Sequence, residues 1–247
     1  MPEEAGTTAA EMGFGWRKLQ VMGAIIFLVA PLIPMIMHGF EPFIMIIVVP
    51  VLIGLLLVRF ARRVGVIWVG VVCLALLAMN LPFLLPSLTH PEVPVDFVPT
   101  VMIALGASMA IISTIPAFGG GKGAEQRSAT ARALAVLTVL AIIAGAGTAF
   151  AAKGNIESQS AQSGDIEVLQ KEFVFHPDKI EAQGQEVALH ITNSDSTRHT
   201  FTIDKLGVDV SVAPGQAVRV TFTAAPGTYH FYCIPHAPDM SGDLTLT

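Results

Sequence analysis

Within eight residues, Cys233-Ile-Pro-His236-Ala-Pro-Asp-Met240 brings together a thiol, an imidazole and a thioether. Some thirty residues earlier a second imidazole, His199, opens the run Arg198-His199-Thr-Phe-Thr-Ile. Two His, one Cys and one Met are the donor set of mononuclear blue copper centres. The thiolate and imidazoles suit both copper oxidation states, and a weak axial thioether tunes the potential. The chemistry on offer is one-electron transfer at a metal whose donors hardly move between oxidation states.

Those donors need a rigid platform, and the sequence predicts one from residue 165 onward. Apolar residues alternate there with polar ones, as they do in strands buried on one face. Val187, Leu189 and Ile191 share one parity; His199, Phe201 and Ile203 share another; Val218, Val220 and Phe222 a third; and Tyr229, Phe231 and Cys233 a fourth. His176-Pro-Asp, Asn193-Ser-Asp, Ala213-Pro-Gly and Ala225-Pro-Gly supply turns between the runs. Seven or eight short strands at this spacing imply a β-sandwich. His199 and Cys233 take the inward parity of their strands, and His236 and Met240 lie in the loop that folds back over that end. His176, His190 and His230 are expected at solvent-facing positions.

The preceding part of the chain differs in kind. Residues 1–154 carry nine Lys/Arg against seven Asp/Glu, while residues 155–247 carry five against twelve. Five apolar segments, at about 19–37, 43–60, 64–85, 97–117 and 133–152, approach the roughly 20 residues needed to cross a bilayer. Pro31, Pro34, Pro50 and Pro82 imply kinks within them. Arg17 and Lys18, then Arg59, Arg62 and Arg63, then Lys122, Arg127 and Arg132 fall on alternate connections, whereas His38–Pro42 and Pro86–Asp96 hold no Lys or Arg. The positive-inside rule then puts the N-terminus in the cytoplasm and the C-terminal part outside the cell membrane. The expected organisation is a cytoplasmic tail (1–18), a five-helix transmembrane bundle (19–152), a flexible linker (153–164) and an extracytoplasmic β domain (165–247). As a coil that linker spans roughly 20 Å. Ala149-Phe-Ala151, after a short apolar core, also has the form of an internal signal-peptide cleavage site.

The motif Asn193-x-Asp195-x-x-x-His199-Thr-Phe-Thr-Ile, the Ala213-Pro-Gly turn and Pro226-Gly-Thr-Tyr-His-Phe-Tyr-Cys233-x-x-His236 together resemble the cupredoxins, of the plastocyanin and amicyanin kind. The resemblance covers residues 165–247 and none of the helical part. It implies an all-β Greek-key sandwich, one type 1 copper, and His199, Cys233, His236 and Met240 as the copper ligands. The sequence departs from that pattern in two places. The loop from His236 to Met240 is of intermediate length, and Thr200 stands where these families commonly have an Asn that ties the two ligand loops together.

Several other functions are excluded by what is missing. Structural zinc would require a further thiolate or imidazole, and thioether is a poor zinc donor. A dinuclear copper centre needs a second cysteine in the loop, and Cys73 lies far away in an apolar run. None of the seven histidines forms the His-x-His pairs of multicopper oxidases. The acidic β domain offers no basic face for nucleic acid. Gly119-Gly-Gly-Lys-Gly fails the phosphate-loop pattern, because Gly123 follows the lysine. The expected function is therefore that of an electron carrier and not an enzyme, anchored in membrane lipid and exchanging electrons with a redox protein. Ile234, Pro235, Ala237 and Pro238 would form the docking patch around His236. Copper delivery, or service as the electron inlet of a larger respiratory complex, are the alternatives. Met35, Met37, His38 and His90 would assist the former.

Overall fold

The computed structural model describes residues 15–38, 42, 44–118 and 124–247. The 1–14 tail and the Gly119–Gly123 loop lie outside the described residues, as do the side chains of Met37 and His38. The chain divides into two compact units, Met1–His90 with Phe97–Gly147, and Pro91–Asp96 with Thr148–Thr247.

The first unit is helical: α1 Trp16–Val29, α2 Leu32–His38, α3 Ile44–Phe60, α4 Arg62–Leu88, α5 Pro94–Phe118 and α6 Ala124–Gly154. Pro31 lacks an amide hydrogen and separates α1 from α2. Among the described residues, four stretches are long and apolar enough to cross a membrane: Trp16–Ile36, Arg62–Leu88, Pro94–Phe118 and Ala129–Gly154. The expected second span, 43–60, forms the shorter α3 of 17 residues, at the lower limit of a spanning helix. Small residues let helices approach. A Cβ on Gly23 of α1 would sit 2.7 Å from the Gly106 carbonyl oxygen of α5, and one on Gly106 would sit 2.8 Å from the Gly23 oxygen. Gln20 donates from Nε2 to the Val66 carbonyl at 2.9 Å and to the Thr114 hydroxyl at 3.0 Å, linking α1, α4 and α5. Large apolar side chains such as Ile36, Phe60, Phe83 and Ile115 point outward.

The second unit is a sandwich of two sheets. One runs in the order β2 (Val174–His176), β1 (Ile166–Lys171), β4 (Glu186–Asn193), β7 (Ala217–Thr223). The other runs β3 (Lys179–Ala182), β9 (Ser241–Leu246), β8 (Gly227–Tyr232), β5 (His199–Ile203), β6 (Val208–Val212). β1 lies parallel to β4 with Val168 beside Ile191, and β4 antiparallel to β7 with Leu189 opposite Val220. The inward parities of the sequence meet between the sheets: Val168, Leu189 and Ile191 face Phe201, Ile203, Phe231 and Leu244. Phe201 stacks on Phe231 at 4.8 Å, and Phe175 closes edge-on against Phe231 at 5.0 Å. Cys233 and Met240 belong to the same buried cluster, so the predicted metal loop is rooted in the core.

One polar segment and one histidine behave differently from expectation. Residues 157–159, within the segment expected as flexible linker, are hydrogen-bonded along β7. The Gln159 amide donates to the Ala217 carbonyl at 2.8 Å, the Ala217 amide to the Ser158 hydroxyl at 3.1 Å, and the Arg219 amide to Gln159 Oε1 at 2.6 Å. β7 ends its sheet, and an edge strand presents unpaired amides and carbonyls that an extended segment can satisfy. His190 has the expected outward parity, but this segment covers it. It is buried, with Nδ1 2.8 Å from Glu167 Oε2 and Nε2 2.9 Å from the Gln159 carbonyl.

Candidate metal centre

The site sits where the ends of β5 and β8 meet the loop into β9. His199 is the first residue of β5, and Cys233 directly follows β8. A single 3-10 turn, Ile234–His236, then swings His236 round to face Cys233. The loop is closed by its own backbone: the His236 amide donates to the Cys233 carbonyl at 3.1 Å, Met240 to His236 at 3.1 Å, and Cys233 to Met240 at 3.0 Å. These bonds return the chain to Cys233 and bury Met240 beside it.

Three donors converge. His199 Nδ1 lies 3.6 Å from Cys233 Sγ, His236 Nδ1 lies 3.3 Å from the same sulfur, and the two Nδ1 atoms are 3.1 Å apart. The three ligand atoms all fall within 4.8 Å of one another. Metal–nitrogen and metal–sulfur bonds of about 2.0–2.3 Å put trigonal donors about 3.5 Å apart, so the cluster fits one small ion with slight adjustment. Met240 is fully buried in the cluster that contains Cys233. Thiolate and two imidazoles, together with a thioether, are a copper donor set.

Burial dominates the electrostatics. It pushes the Cys233 thiol above its ordinary range, against the opposing pull of the Thr200 amide and hydroxyl. It also lowers His199 below its ordinary value, although Asp195 pulls the other way. A neutral imidazole offers a lone pair, and a metal that binds the sulfur displaces its proton.

The residues around the donors hold them. The Thr200 amide donates to Cys233 Sγ at 3.3 Å. The Thr200 hydroxyl accepts the Ile234 amide at 2.8 Å. Thr200 thus ties the start of β5 to the loop that follows β8, the work expected of Asn in the pattern this sequence departs from. Asn193 donates to the Thr197 and Val212 carbonyls at 2.8 and 2.9 Å and accepts the Asp195 amide at 2.9 Å, folding the approach to His199.

The sequence pattern assigns no role to two contributors, Asp195 and Phe173, although Asp195 stands within the motif that leads to His199. Asp195 accepts His199 Nε2–H at 2.8 Å, the Glu172 amide at 2.8 Å and the Phe173 amide at 3.1 Å. Burial works against its charge, but these donors together hold the carboxyl below its ordinary value. With Nε2 bonded to a carboxylate, the His199 tautomer assigned from the network leaves Nδ1 for a metal. Phe173 meets both imidazoles edge-on, at 5.7 Å from His199 and 4.9 Å from His236. It stands in a two-residue turn between β1 and β2 in which Glu172 (φ 58°) and Phe173 (φ 61°) are both left-handed. That conformation costs non-glycine residues about 1–2 kcal/mol each, and the Asp195 bonds offset it. Neither residue is a turn former, so composition carries no signal; Asp195, within the motif that leads to His199, is the only pointer.

His199 is 0 % exposed, whereas His236 is half-buried and flanked by exposed Ile234 (52 %), Pro235, Ala237 and Pro238. Phe173, 40 % exposed, extends that apolar rim.

Residues 135–246 match the Cupredoxin-like domain family. The chloroplastic plastocyanin of Oryza sativa subsp. indica is 30% identical over 159 residues, spanning 59% of this chain and 99% of that protein. Among solved structures, an oxidized amicyanin mutant aligns at TM-score 0.32 and 17% identity, over 37% of this chain and 90% of that one. A heme-copper terminal oxidase aligns at TM-score 0.30 and 19% identity, over 50% and 99%.

Proposed function

Because this chain belongs to the cupredoxin family and takes copper as its cofactor, we propose that it is a membrane-anchored type 1 copper protein that carries single electrons. In this reading His199, Cys233, His236 and Met240 would hold the ion. Bound there, copper would supply a one-electron Cu(II)/Cu(I) couple. The observation that carries the proposal is the convergence of two imidazole nitrogens and one thiol sulfur within 4.8 Å, at the end of a packed core and beside an exposed apolar rim.

The protein's own residues perform the rest. Cys233, linked through Thr200 to β5, gives the strongest electronic coupling into the sandwich. Thr200 and the backbone bonds of the 233–240 loop fix the donors, so little rearrangement accompanies a change of charge. His236 offers its ring at the surface, and Ile234, Pro235, Ala237 and Pro238 form an uncharged face where a redox protein can approach. Such encounters are small and weak, which turnover needs.

The helices of 19–152 anchor the carrier in the cell membrane, with the N-terminus in the cytoplasm and residues 165–247 outside; the basic connections support this orientation. Residues 153–164 join the two parts.

Protein-film voltammetry of the full chain tests the proposal. The expected result is a reversible one-electron wave with copper retained through repeated cycles. Stoichiometric loss of Cu(I) to a soluble chelator on each reduction would overturn it in favour of copper delivery.

A further inference from the structure

We propose that Asp195 is a positioning residue of the metal centre, whose one carboxylate sets both the buried ligand His199 and the surface wall Phe173. The inference rests on the copper reading for its consequence, but on this geometry for its substance.

Asp195 stands four residues before His199, outside the donor cluster. Its side chain is 14 % exposed, and its two oxygens take three donors. Oδ1 accepts the Glu172 amide. Oδ2 accepts both the Phe173 amide and the His199 ring. Its own amide is held by Asn193 Oδ1. The carboxylate thus joins the His199 ring and the Glu172–Phe173 turn through one group held at its own amide.

Two consequences arise. The imidazole must carry its proton on Nε2, which aims the Nδ1 lone pair at Cys233 and His236. An outer carboxylate also makes that imidazole a stronger donor and places a negative charge next to the ligand. On the other side, the left-handed turn Glu172–Phe173 is pinned by both of its amides. This turn holds the Phe173 ring against His199 and His236. Ligand tautomer and aromatic wall are thus set by the same group.

An amide at this position cannot replace the carboxylate. Asp195→Asn keeps one acceptor oxygen and gains an NH2 group. In either amide orientation the NH2 group faces a donor, the Glu172 amide or the pair formed by Phe173 and His199. The variant must therefore release either the Glu172 amide or the Phe173 amide and the His199 Nε2–H together.

The test uses the full chain in detergent with 15N-labelled histidine, first without copper. The expected wild-type result is His199 as the Nε2–H tautomer, and in Asp195→Asn a shift of population toward Nδ1–H or an averaged ring. With copper bound, the Asp195→Asn potential should move upward, because lost negative charge disfavours Cu(II). A wild-type His199 found as Nδ1–H overturns the proposal without any variant, as does an Asp195→Asn protein with unchanged tautomer and unchanged potential. Failure to bind copper would instead strike the copper reading, since the tautomer measurement does not involve the metal.

Discussion

The Thr200 hydroxyl accepts the Ile234 amide at 2.8 Å, and this one bond joins the strand that begins with His199 to the loop that follows Cys233. The Thr200 amide meanwhile donates to the Cys233 sulfur. One residue thereby fixes the distance between the two halves of the donor set from both its backbone and its side chain.

Replacing Thr200 by Val keeps the shape and removes the acceptor. The Ile234 amide loses its partner at a part-buried position, a change of about 1–2 kcal/mol in unfolding free energy. Thr200→Ser should retain most of that stability. Chemical denaturation of the copper-free protein checks both. Equal stability of the Val variant and the wild type would show that the bond holds nothing.

The rim around His236 should govern partner exchange without affecting the metal. Ala237→Lys puts a charge on an otherwise apolar face and should slow electron exchange with the native partner by about tenfold, equivalent to ~1.4 kcal/mol. The visible spectrum should be unchanged. Stopped-flow rates at matched ionic strength measure this, and unchanged rates with every native partner would rule the rim out as the docking face.

The bonds around His190 predict a pH-dependent tether. Both ring nitrogens face oxygen acceptors, Glu167 Oε2 and the Gln159 carbonyl, and only an imidazolium can donate to both. Asp165 and Arg219, themselves paired at 2.9 Å, complete the charged surroundings. The Glu167 bond first, then the Gln159 carbonyl, raises the His190 pKa above its ordinary 6.5 when the segment is docked. The docking contribution is therefore fully present below the undocked pKa and is lost as pH rises through the higher, docked value. Hydrogen-exchange protection of the Arg219 amide, which donates to Gln159, should fall across that window in the wild type. In His190→Ala protection should be low at every pH. Protection that stays constant with pH in the wild type would contradict the latch.

Much of the β domain is legible in the amino-acid sequence. The period-2 parities place Leu189, Phe201 and Phe231 in the core because burial on one face of a strand leaves that trace. The spacing of His199, Cys233 and His236 marks them as candidate donors, and their ligand atoms lie within 4.8 Å of one another. What stays hidden depends on contacts between distant segments. Glu172 and Phe173 form a left-handed turn because of Asp195, 22 or more residues away. His190 is buried although its parity points outward, because a polar segment without periodicity finds the free edge of β7. That segment reads as coil by composition, and only the unpaired edge strand gives it a place. Thr200 stands out as a departure from the family pattern, yet its compensating bond depends on the position of the Ile234 amide.

Copper at His199, Cys233 and His236 is best checked by Cu(II) loading of the purified full chain, followed by visible and EPR spectroscopy. One copper per chain is expected, with an intense thiolate-to-Cu(II) absorption and the narrow hyperfine splitting of a type 1 centre, all lost in Cys233→Ser. A colourless product with an ordinary tetragonal type 2 spectrum would contradict the assignment.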